Sequence, residues 1–177
     1  PDRDVMLVVA NPGWITGQSY MIAGPLASRI PVVLMQGSPV SPSIVRFAEV
    51  ISEYGVTIFK AGSTFVRSVM AQPDAASLLQ EALKNSRLRI ATFCAEPVSP
   101  AVQAFAMSNI CSCYINSYWA TEHGGIVFSR VAEPLLADAR AWPLPWIDAD
   151  VLHYSDSGEQ AHPVADGTQG EIVMYGP

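Results

Sequence analysis

The sequence is poor in basic residues and has no apolar run long enough to cross a bilayer. It contains 10 Lys and Arg against 16 Asp and Glu, which gives a formal charge of −6 and a pI near 4.9. Nucleic-acid binding needs clustered basic side chains, and only Arg87 and Arg89 lie close together. The composition therefore argues against nucleic acid and membrane as partners. An anionic ligand would depend on backbone donors, helix N-termini and a metal ion.

Cysteine is also scarce. Cys94, Cys111 and Cys113 all lie in apolar, strand-like runs, and no nearby His or Cys completes a metal-ligating set. We expect three reduced thiols in the core. Since the sequence has no signal-peptide pattern, the expected location is the cytoplasm.

The length and the two ends predict a piece of a longer protein. The 177 residues are half apolar and can bury roughly 70% of the unfolded surface, enough for one domain or a large part of one. The sequence opens on PDRD without an initiator Met and closes on EIVMYGP, a strand-like run that leads into a Gly-Pro turn.

Five apolar runs that predict buried strands alternate with segments of helical periodicity. The strands are predicted at 5–10, 31–37, 56–62, 88–95 and 111–118. The helices are predicted at 14–28, from Ser41–Pro42 to 54, from a Ser63 cap to 70, at 75–85, and from Ser99–Pro100 onward. We expect Gly24–Pro25 to kink or end the first helix. This alternation predicts an α/β fold with a mainly parallel sheet flanked by helices.

The pattern changes after Gly125. Residues 126–177 have no helical periodicity and contain the runs IVFSRVA, DADVLHYSDS and GEIVMYG, separated by Pro-rich and Gly-rich segments such as AWPLPWI at 141–147. These runs predict antiparallel strands. We therefore divide the chain into an α/β core, 1–125, and a β-rich continuation of the same domain, 126–177.

The stretch NSYWATEHGG, residues 116–125, concentrates chemical groups directly after the last apolar run. Thr121 and Glu122 pair a hydroxyl donor with a hard oxygen ligand, which suits a phosphate and its magnesium ion. Gly124 and Gly125 would let the backbone approach a bulky anion. Taken alone, the pattern also fits a strand that ends in a glycine turn with an exposed Glu.

Five segments in this order resemble the acyl-CoA synthetase family, in its acetyl- and propionyl-CoA synthetase branch. They are GWITGQSY, AGPL, VTIFKAGSTFVRSVM, AEP and SYWATEHGG, and the resemblance extends over about residues 1–126. The WATEHGG and AWPLPWI segments are also similar to the synthetase portion of a propionyl-CoA synthase, which acts on 3-hydroxypropionate. The resemblance implies a fragment of the large N-terminal domain of an adenylate-forming enzyme. The family's phosphate loop would then precede Pro1, and its hinge and catalytic Lys would follow Pro177, so the fragment alone is expected to be inactive.

The resemblance implies that the whole enzyme activates a short acid (acetate, propionate or 3-hydroxypropionate) with ATP and Mg²⁺ and transfers the acyl group to coenzyme A. Its partners would be these small molecules and the missing parts of the same polypeptide, and exposed apolar faces could lead to a homo-oligomer. Two alternatives stay open. One is another adenylate-forming enzyme, amino-acid-activating or longer-chain, and the other is a non-catalytic nucleotide-binding module.

The resemblance also implies roles for individual residues. The catalytic pair would be Thr121, bonding the α-phosphate, and Glu122, binding magnesium. The residues implied for nucleotide binding are Ala95, Glu96, Pro97, Asn116, Ser117, Tyr118 and Thr121. Those implied for the acyl pocket are Trp14, Ile15, Thr16, Cys94 and Trp119, with Trp119 as the floor that limits the acid to about two or three carbons.

Some of these positions have plainer interpretations or depart from the family. Trp14 and Trp119 also fit ordinary core aromatics, and Glu96 fits a solvated loop carboxylate. Ala95 stands where the family usually has Gly, and Asn116 replaces a common Asp. His123 replaces a usual Thr, and we interpret it as a polar turn residue rather than a general base.

Overall fold

The computed structural model describes residues 4–130, 140–155 and 161–175. The chain divides into two compact units, Pro1–Ala141 and Trp142–Pro177, and each is described by itself.

A mainly parallel sheet forms the centre of the first unit. Its strands are β1 (Met6–Val9), β2 (Val32–Val33), β3 (Ile58–Gly62), β4 (Ile90–Cys94), β5 (Tyr114–Tyr118) and β6 (Phe128–Ser129). They lie in the order β2-β1-β3-β4-β5-β6. The first four neighbouring pairs are parallel, and β6 runs antiparallel to β5. The predicted fold class, an α/β fold with a mainly parallel sheet, is confirmed.

Helical segments connect these strands. They are α1 (Ile15–Gly17), a π-helix (Gln18–Ala23), α2 (Gly24–Ser28), α3 (Arg46–Glu53), α4 (Ser63–Met70), α5 (Ala75–Leu83) and α6 (Pro100–Asn109). The last of them begins as predicted, because the Ser99 side chain accepts a hydrogen bond from the Val102 amide at 3.3 Å and Pro100 follows in the first turn.

Alternate side chains of the strands build the hydrophobic core. Phe59 of β3 stacks on Phe47 of α3 with ring centroids 5.5 Å apart, and Phe93 of β4 stacks on Tyr114 of β5 at 5.2 Å. All four are at most 1% exposed. Burying one such ring stabilises the fold by about 1.5–3 kcal/mol, so this face of the sheet fixes the strands that carry the site.

The first helical region continues through Gly24–Pro25, so the prediction that it could end there is wrong. A π-helix precedes it, and the Gly24 amide bonds to the carbonyl of Ser19, five residues earlier. Pro25 then occupies the first turn of α2, where its missing amide costs no helical hydrogen bond. The turn ends instead at Arg29, which adopts a left-handed conformation with φ 56°.

The second predicted strand is shorter and less buried than expected. Only Val32–Val33 forms a strand within 31–37, and Leu34 is 70% exposed. The reason is topological, because β2 lies at the edge of the sheet and has a neighbour on one side only.

Two predicted helix starts are also displaced. The helix expected from Ser41–Pro42 begins at Arg46, whose guanidinium donates to the carbonyls of Gln36 (2.8 Å) and Ser38 (2.5 Å) and so organises the preceding segment as a loop. Ser63 is the first residue of α4 rather than its cap, because its hydroxyl donates to the Glu96 carbonyl at 3.0 Å.

The second unit contains only β-structure among its described residues. Its strands are β7 (Trp142–Pro143), β8 (Asp148–Tyr154), β9 (Ala161–Pro163) and β10 (Glu171–Tyr175). The central strand, β8, pairs antiparallel with β9 and with β10, which confirms the antiparallel segment. Parts of the predicted runs, at 131–132, 156–157 and 176, lie outside the described residues.

The compact units do not divide at Gly125. Because β6 pairs with β5, residues 126–130 belong structurally with the α/β core. That the two predicted ranges form one domain stays a prediction.

Two further observations concern the cysteines and the length of the helices. Cys94 and Cys111 are buried, Cys113 is partly buried, and the structure forms no disulfide between them. Within the described ranges, no helix has both the length and the apolar character that a membrane crossing requires.

Asp4 provides a pH-dependent contribution to stability that can be measured. Its carboxylate accepts two hydrogen bonds from Arg89 (3.0 and 2.7 Å) and one from the Thr57 hydroxyl (2.8 Å). The Arg89 bonds, followed by the Thr57 bond, lower the pKa of Asp4 from 3.8 to about 2. Asp4→Asn should therefore destabilise the fold by about 1 kcal/mol at neutral pH, as measured by denaturant unfolding.

The sign of the pH dependence follows from the lowered pKa. The stabilisation is complete above pH 3.8 and is lost as the pH falls through about 2, so the wild-type and Asp4→Asn curves should converge there. Glu81→Gln is the matched control, because its 3.8 Å pair with Lys84 is largely exposed. A difference that persists unchanged at low pH would contradict the assignment.

Candidate functional site

The ends of β4 and β5 lie side by side at one edge of the sheet. The parallel register pairs Phe93 with Asn116, so the loop after β4 adjoins the end of β5. Between them is a cavity of about 360 Å³. Its walls come from these two segments: Phe93, Ala95, Glu96, Pro97, Val98, Asn116, Ser117, Tyr118 and Trp119. Ligands of open α/β sheets characteristically bind at this edge.

A second, smaller cavity of about 190 Å³ adjoins the first. Its lining comes from α1, the loop after β4 and the segment after β5: Ile15, Thr16, Ala95, Trp119, Ala120 and Thr121. Ala95 and Trp119 line both cavities, so a ligand that fills one lies next to a ligand in the other.

Ala95 has a backbone conformation that L-residues rarely adopt. Its φ is 78°, in the region where Cβ crowds the following carbonyl and where Gly is favoured. Because Ala95 carries a Cβ, this conformation places backbone strain in the loop that lines the cavity.

Two hydroxyl groups of α4 fix the loop at Glu96. The Ser63 hydroxyl donates to the Glu96 carbonyl at 3.0 Å, and the Thr64 hydroxyl donates to the Glu96 carboxylate. Glu96 is thus exposed but anchored, and the cavity wall it forms is set by protein contacts.

Thr121–His123 form a single 3₁₀ turn that presents Thr121 and Glu122 to solvent. The ring Nδ1 of His123 accepts a hydrogen bond from the Ala120 amide at 3.1 Å and closes this turn. Gly124 ends it with φ 69°. His123 therefore shapes the turn, in agreement with its interpretation as a polar turn residue.

The turn is tied to the π-helix. The Ser19 hydroxyl donates to the Gly124 carbonyl at 2.7 Å, across 105 positions of sequence. The helical region that supplies Ile15 and Thr16 to the smaller cavity is thereby attached to the turn that carries Thr121 and Glu122.

Lys60 is buried beneath this region. It is 1% exposed, and its amino group donates to the Ser117 hydroxyl at 2.7 Å and more weakly to the Thr92 hydroxyl at 3.4 Å. Ser117 donates in turn to the Phe93 carbonyl at 2.7 Å. Burial lowers the pKa of Lys60, and this effect is partly opposed by the electrostatic interaction with Cys94 and by a hydrogen bond that the amino group donates to the Cys94 side chain.

Tyr20 of the π-helix connects Lys60 to the cavity wall. The Lys60 Nζ lies 4.4 Å from the centre of the Tyr20 ring, a cation–π contact. The same ring meets Trp119 edge to face, with centroids 5.2 Å apart. Burial raises the pKa of Tyr20, so the phenol remains neutral at physiological pH.

The structure brings together most of the residues singled out from the sequence, with four exceptions. Glu122 is exposed on the turn and lines neither cavity. Trp14 is 71% exposed and lines neither cavity, because it occupies the N-cap position of α1 and its side chain lies in solvent. Cys94 is 4% exposed and also lines neither. The Ser117 hydroxyl is committed to Lys60 and Phe93, so the Ser117 side chain supports the site structurally instead of offering a free polar group.

Three supporting residues escaped sequence reasoning, namely Ser19, Tyr20 and Lys60. A signal existed for Lys60, since it is the one charged residue in the apolar run VTIFKAG. Ser19 and Tyr20 gave no such signal, because their contacts depend on the π-helical turn.

The residues at the turn fit a magnesium ion held mainly by its substrate. Among the residues the structure describes, no cluster of three or more His, Cys, Asp or Glu forms a protein-only metal site. Glu122 offers one exposed carboxylate beside the Thr121 hydroxyl. Mg²⁺ commonly binds through one or two carboxylates plus phosphate oxygens and water, so this donor set suits a phosphate-bound ion.

The fold and the paired cavities at the strand ends describe an α/β ligand-binding core, and comparison with known proteins identifies its family. The sequence pattern described as "AMP-binding enzyme" matches residues 1–177. The chain belongs to this family.

Relatives by sequence include several acetyl-coenzyme A synthetases. That of Streptomyces coelicolor is 31% identical over 100% of this chain and 27% of its own length. That of Pyrobaculum aerophilum is 31% identical over 99% of this chain and 26% of its own length. The predicted resemblance to the acyl-CoA synthetases, in the acetyl-CoA synthetase branch, is confirmed. The chain spans about a quarter of the length of these relatives.

Solved structures share the fold. A benzoate CoA ligase from Burkholderia xenovorans has a TM-score of 0.76 at 19% identity, over 99% of this chain and 33% of that one. The anthranilate CoA ligase AuaEII, in complex with anthranoyl-AMP, has a TM-score of 0.77 at 19% identity, over 97% of this chain and 31% of that one. The likeness extends over nearly the whole chain and about a third of each ligase.

The strained conformation of Ala95 can be tested by substitution. Ala95→Gly should stabilise the fold by about 0.5–1 kcal/mol in denaturant unfolding, because the relief of left-handed strain exceeds the added entropy of the unfolded chain. Ala120→Gly is the matched control, since Ala120 lines the same small cavity with φ −128°. It should cost about 0.5–1 kcal/mol. Equal destabilisation by both changes would show that Ala95 is not strained.

Proposed function

We propose that the whole protein is an ATP-dependent acyl-CoA synthetase that activates a short carboxylic acid. The acid is acetate, propionate or 3-hydroxypropionate, and the products are the acyl adenylate and pyrophosphate, then the acyl-CoA and AMP. Family membership and full-chain similarity to acetyl-coenzyme A synthetases support this proposal. The same proposal includes the synthetase portion of a propionyl-CoA synthase as one form that the whole protein can take.

The observation that carries the proposal is the pair of adjoining cavities with Ala95 and Trp119 between them. The larger would take the nucleotide between the 95–97 loop and Tyr118, which is 44% exposed and whose ring is held edge to face against Phe128. The smaller, about 190 Å³, lies below the roughly 300–1,000 Å³ of pockets for drug-sized ligands, which favours a very small acid.

The chemistry needs an acid carboxylate and the α-phosphate of ATP in contact at the boundary of the cavities. A carboxylate oxygen attacks the α-phosphorus, the bond to the β-phosphate oxygen breaks, and pyrophosphate leaves. The thiol of coenzyme A then attacks the acyl carbon, and AMP leaves with the bonding electrons. Holding both reactants in place removes much of the entropic barrier.

Thr121 and Glu122 would act where charge accumulates. The Thr121 hydroxyl would donate to an α-phosphate oxygen, and Glu122 would hold Mg²⁺, which neutralises phosphate charge and polarises the phosphoryl group. The hydrogen bonds at His123 and Ser19 keep this turn in shape. Ile15 and Thr16 would supply part of the acyl side.

The proposal is tested by acid-dependent ATP–pyrophosphate exchange with the complete protein and acids of two to six carbons. We expect exchange with the shortest acids and AMP release when coenzyme A is added. Glu122→Gln should lower the exchange rate on the order of 10²-fold and raise the magnesium concentration required. Glu53→Gln, an exposed carboxylate on α3, is the control and should have no effect.

The alternatives predict different results. Preference for an amino acid or a long-chain acid would identify another adenylate-forming enzyme. Nucleotide binding without exchange for any acid would identify a non-catalytic module and overturn the proposal.

Trp119 should set the length of the acid. In the complete protein, Trp119→Gly should admit acids with additional methylenes, and each methylene accommodated is worth about 1–3 kcal/mol in kcat/KM. Because loss of a packed Trp can cost about 3–5 kcal/mol of stability, circular dichroism must first show a folded variant. Trp146→Ala, at a residue 74% exposed in this structure, is the control. A folded Trp119→Gly enzyme with unchanged acid preference would remove Trp119 from the pocket.

A further inference from the structure

Lys60 is a buried charge that the proposed chemistry leaves unused. Within the described parts of the chain, no carboxylate lies within salt-bridge distance of its amino group. A buried ammonium group without a counter-ion is costly, and the hydrogen bonds that it donates to hydroxyl oxygens compensate only part of that cost. Buried ionisable groups are concentrated at functional sites, so the contacts of Lys60 indicate which site it serves.

The contacts of Lys60 lie on the face of the sheet that carries the smaller cavity. Because side chains alternate along a strand, Lys60, Thr92 and Ser117 lie on the face opposite the stacked rings Phe59 and Phe93. Tyr20 covers this polar group from the π-helix.

Two short paths connect the amino group to Trp119. One runs through the Tyr20 ring, which contacts Lys60 on its face and Trp119 at its edge. The other runs through Ser117, which is bonded to Lys60 and precedes Trp119 by two residues at the end of β5. Both paths end at the side chain that lines the acyl cavity and the nucleotide cavity.

We propose that Lys60 is a positioning residue for acid selection, whose amino group holds Tyr20 and Ser117 in place and thereby fixes the Trp119 wall of the acyl cavity. This inference rests on the proposed function and adds to it a determinant of specificity outside the cavity lining. Lys60 does not touch the acid, so it acts on which acid fits and not on the bond-making step.

The test is the acid preference of the complete enzyme with Lys60→Met, which keeps side-chain length and removes the amino group. At saturating ATP and coenzyme A, KM for the preferred acid should rise about tenfold or more, while KM for ATP changes less than about threefold. The ratio of kcat/KM between that acid and the acid one methylene longer should fall several-fold. Lys84→Met is the matched control, because Lys84 is the other lysine of this sequence and is exposed.

Ser117→Ala provides a second variant that keeps the charge. If Lys60 acts partly through Ser117, this variant should shift the acid ratio in the same direction, and the double variant should shift it less than the product of the two single effects. A purely structural defect would instead lower kcat/KM for all acids alike and raise KM for ATP in parallel. Thermal unfolding monitors the fold of each variant.

The pH profile gives an independent readout. Since burial lowers the pKa of Lys60, the ammonium form is lost at lower pH than for an exposed lysine, and wild-type acid discrimination should weaken as the pH rises through that pKa. The other titratable groups that face the amino group are the Tyr20 phenol and the Cys94 thiol. Lys60→Met should lack this step, whereas Cys94→Ser should retain it.

The outcomes separate the two proposals. An active wild-type enzyme whose folded Lys60→Met variant keeps the same acid ratio and KM overturns the role of Lys60 alone. If the complete wild-type protein forms no pyrophosphate with any of the acids tested, the proposed function is overturned, and the role of Lys60 with it.

Discussion

The parallel pairing of β4 with β5 is the constraint on which the site depends. It aligns two strand ends that are more than twenty residues apart in sequence, so the 95–97 loop and the segment 116–121 form opposite walls of one cleft. A slip of one residue in this register would exchange the two faces of β5 and move Ser117 into the core. The stacking of Phe93 on Tyr114 opposes such a slip, because it fixes both strands from the apolar face.

The strands β3, β4 and β5 serve two purposes, because their side chains alternate between the two faces of the sheet. Their apolar side chains pack against helices, while the opposite face carries a polar group centred on Lys60. An apolar side chain in place of a buried amine is often neutral or stabilising, so the stability of the fold does not account for a lysine at this position. The polar group is better explained by the precise placement of Tyr20 and Trp119 at the cavity.

The fold was predictable from the sequence because strand and helix patterns alternate clearly up to Gly125. The deviations have local causes: β2 is an edge strand, Arg46 organises the loop before α3, and a π-helical turn accommodates Gly24–Pro25. The hydrophobic periodicity of the sequence indicates none of these three features. For the site, motifs indicated the residues that line the cavities, whereas the residues behind them depend on contacts across 57 and 105 positions that no local pattern records.

The π-helix Gln18–Ala23 has a geometrical consequence for how this wall can change. A π-turn contains one residue more than an α-turn, and in an α-helix each residue advances the direction of the side chains by about 100°. Removing a single residue from this segment would restore regular winding and rotate Tyr20 relative to Gly24–Pro25. A one-residue insertion or deletion in this helical turn would therefore rotate the aromatic side chain that packs against Trp119. A substitution in the cavity lining, by contrast, changes only the volume of one side chain.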